Sequence, residues 1–320
     1  MRILALVPGG IGDQVLFFPT LASLQAAYPE AKLDVLVEPR SKVAYRVCPT
    51  VNEVLLFDYK DNNGLADYLN LIGMLRDREY EASLALGQRW SVGLLLWLNG
   101  IGKRIGFTSG KDWFWTDTVP LNRNQYAAAM YHDLVKGFGV ETECPLPTLA
   151  LPRTDIDWAE AEQQRLGIRE TGYILLHGGS SQLALTKGIN KIYPAKKWLQ
   201  VIQDLQDKQP DVPVVIIKGP DDGPWVQEIV TAVAGVKVVS PPDIGKLSAL
   251  IAGANLMLCT DSGPMHLSVA AGTYTLALFG PTDMTKLLPP GSDRVLGIQS
   301  PTDAISDIAP VTILEKLWNG

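Results

Sequence analysis

Short apolar runs alternate with longer stretches of helical spacing almost from end to end of the chain. Residues 2–8, 32–38, 53–58 and 82–87 are strand-length apolar runs. Between them, a helix is predicted from about residue 13 to 28, a second over 66–80 and a third over 91–100, with a short strand at 104–107. The strands are apolar almost continuously rather than alternately. That is the mark of a parallel sheet covered by helices on both faces.

The rhythm breaks between Cys144 and Gly172, where prolines 145, 147 and 152 interrupt it. It then restarts with strands predicted at 173–177, 212–219, 236–240, 255–260 and 275–280. Helices are predicted over 194–207, 223–235 and 243–254. The pattern predicts two open α/β domains of doubly wound type, 1–152 and 153–320, facing each other across a cleft. The last helix is a candidate to pack back on the first domain. Ligands in such sheets bind outside the carboxyl ends of the strands, and each polar motif below falls at such an end.

Composition narrows the function. The chain has 320 residues, 47% of them hydrophobic, and a net charge of −6. Residues 1–150 carry 14 basic and 16 acidic side chains and residues 151–320 carry 14 and 18, so neither half offers the cationic surface that nucleic acid requires. The three cysteines, Cys48, Cys144 and Cys259, form neither a disulfide framework nor a metal knuckle and fit a reducing compartment. The N-terminal apolar run is too short for a signal-peptide core, and no run approaches the roughly 18 residues that cross a bilayer.

The richest motif is "LCTDSGPMHLSVAAGTYTLALFG", 258–280. It reads as strand, turn, helix, strand. Ser262 or Gly263 falls at the N-cap and Pro264 at the first helical position. The amides of Met265 and His266 are then expected to face the crevice, where the helix dipole favours an anion. Asp261 and His266 add polar side chains at the same point. An ordinary capped turn accounts for the same residues.

After the first strand comes "PGGIGDQVLF". Gly10 and Gly12 with Glu38 at the end of the second strand resemble a dinucleotide fingerprint, but Val15 occupies the third glycine position. Asp13 is either a general base at a helix start or a carboxylate that stabilises that helix end. Behind the strand at 173–177 runs "GGSSQLALTKGINKIYP", where Ser180, Ser181 and Lys191 suit a diphosphate, or make up a surface loop with a solvated lysine. Asp221 or Asp222, after the strand at 212–219, is placed to hold a ribose hydroxyl or to make a turn. The "DID" at 155–157 reads as helix capping rather than metal binding, and His132 as structural. The three histidines lack metal-ligand spacing.

Taken in order, these stretches resemble the ADP-heptose:lipopolysaccharide heptosyltransferases, glycosyltransferase family nine. The resemblance is carried by "GGIGDQVLFFPTLASLQAAYPEAKLDVLV", "KRIGF" and the helix up to Gly139, "LLHGGSS…KIYPAKKW", and "TDSGPMHLSVAAGTYTLALFGPTD". It implies a GT-B fold of two Rossmann-like domains, an acceptor side that includes Gly10 and Gly12, and a donor side in the second half. It further implies that Asp13 is the catalytic base and that Lys191 neutralises the donor diphosphate. Asp261, Ser262, Gly263, Pro264, Met265 and His266 would bind the nucleotide sugar, with Ser180 and Ser181 on the phosphates and Asp222 near the ribose. The implied reaction is an inverting, metal-independent transfer from an ADP-sugar to a lipid-linked or other glycan acceptor, with no cofactor. Such an enzyme belongs in the cytoplasm, with peripheral contact at the inner face of the cytoplasmic membrane left open.

Rival classes are an NAD(P)-dependent Rossmann oxidoreductase built on "PGGIGD" and Glu38, a non-hydrolysing nucleotide-sugar epimerase of the same fold, and a non-catalytic sugar-nucleotide binder. No amphipathic basic anchor for a membrane is evident along the sequence.

Overall fold

In the computed structural model the first apolar run becomes β1 (Arg2–Val7), with every residue after Arg2 buried. The structure describes residues 1–59, 63–179, 186 and 188–319. Contacts divide the chain into two units, Met1–Thr148 and Leu149–Gly320.

In the first unit β1 is followed by α1 (Ile11–Ala27), β2 (Lys32–Val37), β3 (Glu53–Leu56) and α2 (Leu65–Arg76). Then come β4 (Ala82–Ala85), α3 (Trp90–Leu98), β5 (Lys103–Phe107), β6 (Asp117–Val119) and α4 (Ala127–His132). All six strands are parallel, in the order β3-β2-β1-β4-β5-β6. The central strands tolerate one buried charge, Asp34. Its carboxylate takes a 2.6 Å ion pair from Arg2 and hydrogen bonds from Tyr80 (2.8 Å) and Asn52 (2.7 Å). This is how a buried carboxylate is tolerated: its lone pairs are met on all sides.

The second unit opens with α5 (Arg153–Leu166), β7 (Ile174–His177), α6 (Ala195–Lys208) and β8 (Val214–Ile217). It continues with α7 (Gly223–Ala232), β9 (Lys237–Val239), α8 (Ile244–Ala252), β10 (Leu256–Thr260) and α9 (Gly263–Ala271). It closes with β11 (Thr275–Phe279), α10 (Met284–Leu287), β12 (Val295–Gln299) and α11 (Pro310–Asn319). The order β12-β11-β10-β7-β8-β9 is again all parallel. Counted from its own first strand, this is the order of the first unit. Strand order reverses between β1 and β4 in one sheet and between β7 and β10 in the other, which is where ligands enter such folds.

The last helix, α11, lies against α6 of its own unit. Ile313 is buried in the core with Tyr193 and Trp198, and the Trp318 indole donates to Asp204 at 2.8 Å. Lys208 sits over the Trp318 ring at 4.9 Å. Tyr193, packed edge-on against Trp198 at 5.1 Å, donates its hydroxyl to the Ile308 carbonyl and so ties the start of α6 to the segment before α11.

Candidate active site

At the first switch point the chain leaves β1 through Gly9 and Gly10. Gly9 has φ of +121°, and a Cβ there would lie 2.3 Å from Asp13 Oδ2, so only glycine fits. The helix begins at Ile11, two residues earlier than expected, which makes Asp13 its third residue. Asp13 Oδ2 accepts the Gly10 amide at 2.8 Å, as an acid in a capping box does. Its other oxygen, Oδ1, accepts the Tyr131 hydroxyl at 3.1 Å. Burial first, and then the neighbouring Asp13 carboxylate, push the Tyr131 phenol far above its ordinary range, so it is a permanent donor. Asp13 is therefore fixed by one bond to each oxygen and remains partly exposed. Gly12 is the second residue of the helix.

The dinucleotide reading fails here. Val15, where a third glycine would be needed, is a fully buried residue of α1, and the Glu38 carboxylate is held by Arg40 at 2.7 Å.

The second switch point is a cross-linked polar network. Asp261, just past β10, accepts Lys191 Nζ at 2.7 Å and the Thr282 hydroxyl at 2.8 Å on Oδ2, while Oδ1 lies 3.9 Å from His266 Nε2. One buried carboxylate thus joins the loop after β7, the start of α9 and the loop after β11. A second hub is His177, the last residue of β7. Its Nδ1 is 3.2 Å from Ser262 Oγ and its Nε2 is 3.5 Å from Asp222 Oδ2. Asp222 also accepts the Gly219 amide at 2.7 Å. Burial works to raise the Asp222 carboxyl. The His177 hydrogen bond and charge, with the Gly219 amide, outweigh it and hold the group below its ordinary value. Gly178 and Gly179 make the crossing possible: a Cβ on Gly179 would stand 1.8 Å from Asp222 Oδ1.

Several expectations need correction. Gly263, not Pro264, is the first residue of α9, with Ser262 at the N-cap. The Ser262 hydroxyl does not cap the helix; besides facing His177 it donates to the Thr260 carbonyl at 3.1 Å. The Met265 amide is not offered to a ligand, because it donates to the Ser262 carbonyl at 3.1 Å, and the Met265 side chain is wholly buried. Asp222 is turned inward into the His177 network, while Asp221 is exposed. Ser180 and Ser181 lie outside the described residues. Sequence reasoning assigned no role to His177 or Thr282. The available signals were a histidine closing an otherwise apolar strand and a threonine in the turn "GPTD" after the next one.

The remaining candidates are structural. His132 is buried with Nε2 2.8 Å from Ser23 Oγ, and burial lowers its pKa. Asp155 is buried in the first turn of α5, and Asp157 pairs with Arg153 at 2.7 Å. Among the described residues no three His, Cys, Asp or Glu side chains gather as a metal-ligand group.

The chain as a whole is similar to known proteins. The sequence profile described as "Glycosyltransferase family 9 (heptosyltransferase)" matches residues 68–317. The lipopolysaccharide heptosyltransferase 3 of Escherichia coli is 29% identical over 293 residues, covering 85% of this chain and 81% of its own. The crystal structure of a glycosyl transferase family 9 protein from Veillonella parvula DSM 2008 superposes with a TM-score of 0.86 at 19% identity, covering 99% of this chain and 96% of that one. The E. coli ADP-heptose lps heptosyltransferase II follows with a TM-score of 0.79 at 21% identity, covering 99% and 97%. The twin parallel sheets are thus those of a GT-B fold, and the chain belongs to glycosyltransferase family 9 and is a glycosyltransferase.

Proposed function

We propose that this enzyme transfers heptose from ADP-heptose to a lipopolysaccharide-type acceptor with inversion at the anomeric carbon. The observation that carries the reading is the Lys191–Asp261 pair at the second switch point. A lysine on the loop after β7 is held at 2.7 Å beside the amino end of α9, where a diphosphate would find both a cation and a helix dipole. An incoming diphosphate competes with Asp261 for the Lys191 ammonium, and Thr282 and His266 keep Asp261 partnered when the lysine turns away. Lys191 and the helix end then stabilise charge on the departing ADP, the kind of preorganised donor that often supplies the largest catalytic contribution.

Asp13 acts as the general base. The capping bond from Gly10 fixes the carboxylate, and Oδ1, shared with Tyr131, takes the proton of the acceptor hydroxyl. That oxygen attacks the anomeric carbon on the face opposite the diphosphate. The bond to the ADP β-phosphate oxygen breaks as the new glycosidic bond forms. The glycine-bound Asp13 end belongs to the acceptor side, and the His177–Asp222–Ser262 cluster holds the donor loops in register.

The test is a transfer assay with ADP-heptose and a heptose-deficient lipopolysaccharide acceptor, with the anomeric configuration of the product read by NMR. An inverted product that requires Asp13 fits. A retained configuration, or full turnover by Asp13→Ala, contradicts the mechanism.

A further inference from the structure

The helix α3 departs from the usual behaviour of a surface helix. Its sequence, "WSVGLLLWL", is apolar on every side. Only part of it can face the sheet, so the rest is left outside. Trp90 is 45% exposed and Trp97 52% exposed. The loop between β5 and β6 lies across the helix, with the Phe114 ring 6.3 Å from Trp90 and 5.7 Å from Trp97. Beside it Trp113 stands 78% exposed. The chain has eight tryptophans; the three of them that are exposed are these three. Isolated exposed apolar residues are ordinary, but two exposed indoles against one phenylalanine ring, with a third exposed indole next to it in the chain, are not.

Charge distinguishes the same region. Residues 89–123 carry five basic side chains, one of which, Arg104, is turned onto backbone carbonyls, and two acidic ones, Asp112 and Asp117, in a chain whose net charge is −6. Arg89, beside the amino end of α3, and Lys111, two residues before Trp113, are both exposed. We infer that α3 and the 111–114 loop dock the enzyme on an anionic phospholipid surface. Indoles settle at the headgroup level of a bilayer, and cations beside them are drawn to anionic lipid. A second copy fits less well, because an isologous contact would bring the same cations together. Position supports the assignment. α3 follows β4, the neighbour of β1, so its amino end lies at the same edge of the sheet as Asp13. Docking through α3 would therefore bring the base toward acceptors carried by lipid. This last point rests on the proposed lipid-linked acceptor; the docking itself does not.

The test is co-sedimentation of the full chain with vesicles of phosphatidylethanolamine and phosphatidylglycerol, and with phosphatidylcholine vesicles, without donor or acceptor. The wild type should bind the anionic vesicles, with a blue shift of tryptophan emission, and release with salt. Trp97→Ser with Trp113→Ser should weaken binding about tenfold or more. Arg89→Glu with Lys111→Glu should do the same while leaving every indole in place. Stabilisation by ADP should be unchanged in both variants, which shows that they are folded. Failure of the wild type to bind, or wild-type binding by both variants, would overturn the proposal. So would a dimer in solution that Trp113→Ser converts to monomer. Loss of ADP stabilisation with vesicle binding intact would instead count against the proposed transfer reaction.

Discussion

The two sheets share one strand order, yet their switch points carry opposite kinds of chemistry. In the first, a single carboxylate, Asp13, is fixed by a glycine amide and a tyrosine hydroxyl and stays partly open. In the second, two buried hubs, Asp261 and His177, tie together the loops after β7, β8, β10 and β11. Topology fixes where a site can be, and the loops decide what it does. A lone half-exposed acid suits a base that must meet a changing substrate. A cross-linked network suits a site that must present a cation and helix end in a constant geometry.

The sharpest way to separate the two points is to remove the charge from each. Asp13→Asn keeps the side-chain shape but removes the proposed base, and should lower kcat by roughly 10²–10⁴-fold while ADP binding persists; steady-state transfer and ADP titration check both halves. Lys191→Met should cost roughly 10²–10³-fold in kcat and should also weaken ADP, unlike the change at Asp13.

Two smaller effects probe the rigidity of the second point. Gly179→Ala sets a Cβ 1.8 Å from Asp222 Oδ1 and should destabilise the protein by about 1–3 kcal/mol in denaturant melts. Asp222 gives a pH signature. Its carboxyl is held below its ordinary value, so its contribution to stability is full above the unfolded value of about 3.9 and fades as pH falls through the lower folded value. Asp222→Asn should therefore flatten the acid limb of the stability curve below about pH 4.

Much of this architecture was legible in the chain because buried parallel strands and their flanking helices write long, repeated patterns. The strands that went unpredicted, β6 and β12, are the outermost of each sheet's second half, where three and five residues pair on one side only. Their weak apolar signal reflects that half-burial. Of the polar groups gathered at the two switch points, Asp13, Lys191, Asp261 and His266 stand out in the sequence at glycine turns, a long loop and a strand end. The hydrogen-bond ledger does not. Nothing local shows that the Met265 amide is taken by Ser262, or that Asp222 turns to a histidine 45 positions earlier. The aromatic face was hidden for a similar reason. α3 shows no amphipathic stripe, and its third indole arrives from a loop 16 residues after Trp97.

The most direct measurement of the central claim is thermal stability with ADP, UDP, GDP, CMP and NAD, for the wild type, Asp13→Asn and Lys191→Met. At about 100 times its dissociation constant a ligand adds roughly 2.7 kcal/mol of stability. ADP should stabilise the wild type and Asp13→Asn alike, with a much reduced effect on Lys191→Met, and NAD should do nothing. Stabilisation by NAD alone, or an ADP effect that depends on Asp13 and ignores Lys191, would contradict the account.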